Sequence, residues 1–471
     1  MIKKYIGDKT FLKSMITLAV PIALQNLLAA SYTLVDTLMV GNLGDVTLSA
    51  VGMASQCGLV MNMMVFGLCS GASVFFSQFW GAKDEKGIHK TFGISLLLLL
   101  AIALTFFAIF FFNPVGVIKI FNKDAGVVLQ GSKYLKILSW SYPAVAVNLL
   151  LSTLLRCTEN VKLPMVATLI TTIVNTVLDY GLIYGKFGFA QMGVEGAALA
   201  TVIAAWTAPV LVLIISAIKR NIVIAPPKRL FGFSGRDFLL FLKTAAPTTA
   251  SETLWGLGTL VFSIMYSNMG YEQYAAVTIL KTFENMFFVF FVGMCNACCV
   301  MIGKSVGSGK IEQAVCDSKR FAVLVPLSSI VLSTLIIIFR RELIWLFDMN
   351  GKLSELTYNT AMNIMLIYAL ELPIRNIPYI QIVGIFRAGG DTAVGAKADL
   401  ICLWMIAVPL TMVCAYVLKI PFWAVYAGMY IFEDWPKSAM CIYYLRKLKW
   451  LKPVTKEGAE ALEVYKQQNG I

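Results

Sequence analysis

The chain has 471 residues, of which 58% are hydrophobic and 14% charged, and it carries a formal net charge of +13. With a mean hydropathy of +0.76, this composition excludes an ordinary soluble globular protein and predicts an integral membrane protein. The positive charge would suit nucleic acid, but the basic residues gather in alternate loops between apolar runs, which is the distribution of cytoplasmic membrane flanks.

In chain order, the apolar runs predict an all-α membrane protein of 12 transmembrane helices, because a run of about 20 residues rising 1.5 Å each crosses a hydrocarbon core of about 30 Å. The first span, 14–40, carries Pro21, Gln25, Asn26 and Asp36. It is too long and too polar to be a cleavable signal, so it is expected to stay as a span. Asp36 lies in "LVDTLMVGNLG", and an ionised carboxylate at membrane depth costs roughly 3 kcal/mol, so it needs a task. Spans two to six follow at 47–80, 91–113, 127–155, 162–185 and 194–218. In the fifth, Asn175 and Asp179 stand four residues apart and project from one face. A carboxylate and an amide one turn apart can share a proton or offer oxygens to Na⁺.

Spans seven to twelve are expected at 237–268, 273–303, 317–340, 355–388, 394–418 and 421–446. Lys281 and Glu284, three apart, and Glu371 and Arg375, four apart, are expected to pair on their own helix faces. Glu433 and Asp434 have no evident partner. By loop parity, about 28 Lys and Arg fall on one side and about 9 on the other, so both termini are expected in the cytoplasm. The ten cysteines lie mostly within spans. Cys295, Cys298 and Cys299 share a helical face and read as small packing residues, not as a metal centre.

Sliding the chain against itself by 226 residues superposes Pro21 on Pro247, Thr33 on Thr259, Val35 on Val261, Met39 on Met265, Gly67 on Gly293 and Gly81 on Gly307. There are roughly 14 identities in about 61 ungapped positions, the mark of a duplicated transporter bundle. Two pseudo-symmetric six-helix lobes follow, 1–220 and 236–450, joined by a cytoplasmic loop at 221–235 rich in Pro, Gly and charge and followed by a cytoplasmic tail at 451–471. Such a pair suits alternating access. Positions that keep the fold should agree between the halves. Asp36 falls opposite Phe262 and Glu252 opposite Asn26, so both carboxylates are candidates for function.

Enzymatic and pump chemistries find little footing. "GKSVGSGKI" places Lys304 where a phosphate-binding loop needs its first glycine, and Ile311 follows Lys310 where Ser or Thr is required. The only histidine, His89, falls in a charged loop and is expected to be solvated. No catalytic residue and no organic cofactor is expected.

The motifs "VDTLMVGNLG", "SQFWGAKDEKG", "RCTENVKLP", "NTVLDYGLIYG", "MGVEGAALATVI" and "RAGGDT", in that order on a 12-span frame, resemble the MATE family, the multidrug and toxic compound extrusion transporters. The resemblance covers nearly the whole chain. It implies export of organic, often cationic, compounds in exchange for H⁺ or Na⁺, by a monomer in the inner (plasma) membrane that binds small molecules and no nucleic acid. It also places the Asn175–Asp179 element beside Asp36, and motif matching adds Thr201 and Tyr134 to a cation-coupling set. Asp36, Asp179 and Asn175 become metal ligands in the Na⁺ case. Glu252, Asn26, Glu284 and Lys281 are the candidate substrate contacts, and Pro21 and Pro247 the candidate helix-bending residues. Asn376 stands where one branch of the family has an acid on helix ten. The alternative is a lipid-linked oligosaccharide flippase of the same superfamily, whose strongly basic site Asp36, Asp179 and Glu252 argue against.

Overall fold

The computed structural model describes residues 7–470 apart from 42, 44, 122–123 and 347–352, so Asn42 and Gly44 of the first motif lie outside the described residues. Among the described residues the chain is helical with no strand, and one isolated backbone bridge joins Gly390 to Leu451. A helix satisfies its backbone hydrogen bonds within one segment, the requirement that a hydrocarbon surround imposes.

Among the described residues, eight helices are long and apolar enough to cross a bilayer: Lys9–Gly41, Ser49–Gly81, Glu85–Phe112, Lys162–Tyr184, Val194–Ile218, Tyr271–Gly307, Ile311–Trp345 and Ala393–Val417. The pair Ala125–Leu138 and Ser141–Cys157, bent by 47° at its break, makes a ninth. The three remaining expected spans correspond to the helices Gly235–Met269, Glu355–Tyr379 and Phe422–Arg446. These are 35, 25 and 25 residues long but diluted by Glu252, Glu371, Arg375, Glu433, Asp434 and Lys437. Length finds them; apolarity does not, because their charges are matched by other side chains of the protein.

The helices gather into two compact units. The N-terminal unit holds Pro21–Phe76 and Asp84–Thr249; the C-terminal unit holds the residues up to Val20, Ser77–Lys83 and Ala250 onward. Pro21 thus opens the N-terminal unit's share of the helix Lys9–Gly41. Pro247 lies three residues before the helix Gly235–Met269 passes into the C-terminal unit. Both prolines sit inside continuous helices. Each removes one backbone donor from its helix, which is where a helix flexes most cheaply.

Several motifs prove to be close-approach and capping devices. In the N-terminal unit, Asp84 of "SQFWGAKDEKG" caps the helix Glu85–Phe112 by accepting from the Gly87 backbone N–H at 2.9 Å. A Cβ on Gly196 of "MGVEGAALATVI" would meet the Leu182 carbonyl oxygen at 2.7 Å, so only glycine lets these neighbouring helices touch. Arg156 of "RCTENVKLP" donates twice to the Gln25 amide oxygen, at 2.6 and 3.2 Å. His89 is buried, not solvated as expected. Its Nε2 lies 2.9 Å from the Ile222 carbonyl oxygen, because the segment after the sixth span folds back over it.

In the C-terminal unit, a Cβ on Gly81 would sit 2.1 Å from the Lys304 carbonyl oxygen, and one on Gly307 would sit 1.9 Å from that of Gln78. Two repeat-related glycines therefore make one crossing, and the identity between the halves has a steric cause. The tail is structured as well: the helix Lys456–Asn469 is capped by Thr455, whose hydroxyl donates to the Gly307 carbonyl at 3.1 Å. Just before it, Trp450 is fully buried and the Lys452 N–H donates to the Gly389 carbonyl at 2.7 Å.

Candidate functional site

The N-terminal unit brings the coupling candidates together from four helices. Asp36 comes from Lys9–Gly41, Tyr134 from Ala125–Leu138, Asn175 and Asp179 from Lys162–Tyr184, and Thr201 from Val194–Ile218. The i, i+4 spacing places Asn175 and Asp179 on the same inward face, and both are fully buried. Asp36 and Asp179 interact electrostatically, and the Tyr134 phenol lies in the field of both while the Thr201 hydroxyl is its hydrogen-bonding neighbour. Thr201 donates its own proton to the Ala197 carbonyl at 2.9 Å, which leaves its lone pairs for the phenols. Near the end of the cluster, the Tyr184 hydroxyl donates to the Met39 carbonyl at 2.8 Å and ties the Asp36 helix to the Asp179 helix.

The chemistry of the cluster lies in what its oxygens do not do. Asp36 Oδ1, both Asp179 oxygens and the Asn175 amide oxygen and nitrogen are buried without a hydrogen bond of good geometry, the Asn175 amide lying beside Asp179 as a donor within reach. Among the described residues, neither carboxylate forms an ion pair. Leaving a buried polar group unmatched costs about 1–3 kcal/mol, more when charged. Such a set is suited to a small cation, because H⁺ or Na⁺ satisfies several oxygens at once.

Two members escaped the sequence reading. Tyr32, one turn before Asp36, also faces Asp36, Asp179 and Thr201. Thr171, one turn before Asn175, has a buried hydroxyl that likewise makes no hydrogen bond. Four-residue spacing from Asp36 and from Asn175 would have found both.

The C-terminal unit treats its charges differently. Glu252 is paired with Arg387 of "RAGGDT" at 2.7 Å, the two side chains being 13% and 3% exposed. Glu284 pairs with Arg375 of another helix, and Arg375 also stacks over the rings of Phe288 and Tyr430 at 5.8 and 5.6 Å. Lys281 donates to the Ser263 hydroxyl at 2.7 Å, and Glu371 accepts from the Trp435 indole at 3.1 Å. The expected same-helix pairs are therefore not formed. A guanidinium can reach across to a neighbouring helix and face a carboxylate with several N–H groups, which a residue three or four places along the same helix does not match. Glu433, left without a partner by the sequence, accepts from Lys437 at 2.8 Å. Asp434 is buried in the field of Arg375 and Lys437. Asn376 is fully buried and its amide donates to the Leu372 carbonyl at 3.0 Å. Asn26, in the N-terminal unit, donates to the Ile22 carbonyl at 2.9 Å. Cys295, Cys298 and Cys299 are buried thiols outside any disulfide.

The MatE family model matches the chain twice, at residues 21–181 and 247–413. The two matches start at Pro21 and Pro247, the offset of the internal repeat. A probable multidrug resistance protein NorM of Thermotoga maritima is 25% identical over 93% of this chain and 93% of its own length. The uncharacterised transporter YisQ of Bacillus subtilis is 24% identical over 95% of this chain and 96% of its own. Among solved structures, a MATE transporter in its bent conformation superposes with a TM-score of 0.84 at 18% identity, over 95% of this chain and 97% of that one. The same transporter type in its straight conformation gives 0.83. The fold is thus the two-lobe helical fold of these transporters, and the chain belongs to the MATE family of membrane transporters.

Proposed function

We propose that the chain is a secondary antiporter that exports small organic, cationic compounds in exchange for H⁺ or Na⁺ by alternating access. One observation carries this reading: Asp36, Asn175 and Asp179 are gathered with buried oxygens that, among the described residues, no base neutralises and no hydrogen bond of good geometry satisfies. A cation entering this cluster binds Asp36 and Asp179 together, with Asn175, Thr171 and the Tyr32 and Tyr134 hydroxyls completing its surround. Na⁺ would take its ligands from Asp36, Asp179 and Asn175. Occupancy by the cation and by the exported compound then oppose each other, as exchange requires. Pro21, at the start of the N-terminal unit's part of the first helix, is the point at which that helix can change its bend, with Pro247 its counterpart.

Glu252 and Glu284, with Lys281 and Asn26, are the proposed substrate contacts. Because Glu252 and Glu284 each already hold a guanidinium, a cationic substrate binds them by displacing part of that pairing. The names of the similar multidrug proteins support this class of cargo over the flippase reading. In vesicles with pH and sodium gradients imposed separately, one gradient or both should drive substrate movement in wild type and neither in Asp36→Asn; movement unchanged in Asp36→Asn defeats the proposal. The orientation proposed from loop charge, both termini in the cytoplasm, is checked by cysteine labelling. A cysteine at Gln191 should label from outside intact cells and one at Ser234 should not.

A further inference from the structure

We infer that Lys437 is a tethered cation, whose ammonium fills from within the chain a monovalent-cation site built by Asp399, Glu433 and Ser251 of the C-terminal unit. The ammonium donates to Asp399 Oδ1 at 2.9 Å and to Glu433 Oε1 at 2.8 Å. The other Asp399 oxygen accepts from the Ser251 hydroxyl. Lys437 and Asp399 are each 6% exposed and Ser251 is 3% exposed, so the group is held away from water.

Three helices converge here. Ser251 comes from Gly235–Met269, one residue before Glu252, and Lys437 and Glu433 come from one turn of Phe422–Arg446. Asp399 opens the π-helical stretch Asp399–Ala407. The wider turn of a π-helix is uncommon and is frequent at functional sites. Here two carboxylates from different helices meet, as Asp36 and Asp179 do in the N-terminal unit. The difference is the presence of the lysine. A buried carboxylate pair needs a cation, and here the protein supplies it on a four-carbon stem.

The consequence rests partly on the antiport proposed above. The C-terminal unit keeps this site occupied throughout the cycle without taking up an ion, so exchangeable cations belong to the Asp36 cluster. Removing the tether should convert the C-terminal site into an exchangeable one.

The first test needs no transport. In purified Lys437→Ala, propylammonium replaces the deleted atoms and should restore at least half of the lost thermal midpoint in a saturable manner, with no such shift in wild type or in Lys437→Ala/Asp399→Asn. Equal shifts in all three proteins, or none in Lys437→Ala, overturn the inference. Should the alanine variant fail to fold, Lys437→Met keeps the stem's bulk. It should gain a sodium-dependent midpoint shift that Asp399→Asn in the same chain removes, and absence of that shift overturns the inference too. In reconstituted vesicles, Lys437→Met should move one more monovalent cation per substrate than wild type, and an unchanged stoichiometry counts against the tether. If wild type shows no cation coupling at all, the antiport reading fails while the two thermal tests still decide the role of Lys437.

Discussion

In the N-terminal unit, Asp36 and Asp179 stand among tyrosine, threonine and asparagine side chains and, among the described residues, neither has a base paired to it; Asn175 is the amide neighbour of Asp179, and Asp36 Oδ1 is buried without a hydrogen bond. In the C-terminal unit, Glu252, Glu284, Asp399 and Glu433 each face a guanidinium or an ammonium. Both units descend from one duplicated scaffold, so the contrast is not imposed by helix geometry. A carboxylate whose counter-charge is a side chain is held in one arrangement. One whose counter-charge must come from solution responds to the concentration of that ion, which is what coupling to a gradient demands.

The largest expected effect falls on the N-terminal cluster. Asp179→Asn, like Asp36→Asn, should reduce gradient-driven efflux to background while leaving the protein folded, because the neutral amide removes charge from an unpaired group and keeps its shape. Transport in vesicles beside size-exclusion profiles measures this, and a variant that transports normally breaks the comparison.

In the C-terminal unit the same kind of change should act on stability. Arg375→Met leaves the half-buried Glu284 without its guanidinium and with only Lys281 in its field, at a cost below the about 3–5 kcal/mol of a fully buried pair, and adding Glu284→Gln should recover most of that loss. A double-mutant cycle on thermal unfolding reads the coupling between the two sites. Additive losses would show that the pair is not a unit.

A smaller loss is expected at the helix crossing shared by the repeats. Gly307→Ala forces a methyl group against the Gln78 carbonyl, where the Cβ would lie at 1.9 Å, and should cost about 1–3 kcal/mol as overpacking does. Gly52→Ala, with nothing within 4 Å of its Cβ, should be neutral or slightly stabilising in its helix. Equal midpoints for the two variants would remove the steric account of the repeat identity.

The smallest expected effect belongs to Tyr32→Phe, which deletes one hydroxyl at the edge of the cation cluster. Apparent affinity for the coupling ion should fall by a few fold with the maximal rate nearly unchanged. A fall in maximal rate with no change in affinity would place Tyr32 outside the cluster.

Legibility followed the range of the physics involved. Helix positions were readable because span length and apolarity are local, and the spacing of Asn175 and Asp179 fixed their common face. The repeat named Pro21, Pro247, Gly81 and Gly307 before any coordinates. Tyr32 and Thr171 were missed although their four-residue spacing was available, because Tyr and Thr are common in spans; a buried hydroxyl without a partner distinguishes Thr171, and the nearness of Asp36, Asp179 and Thr201 distinguishes Tyr32.

By itself, then, the sequence determined the membrane class, the duplication, the family resemblance and the helix faces that carry Asp36 and Asp179, since each depends on composition or on spacing along one helix. Only the tertiary structure decided the ionic partners: Glu284 takes Arg375 and not Lys281, Glu252 takes Arg387, and Lys437 takes Asp399 along with Glu433. Partner choice is a competition among all charges that packing brings within about 4 Å in a medium of low dielectric. The winners lie 91, 135 and 38 residues away along the chain, and no local spacing rule ranks candidates at that separation.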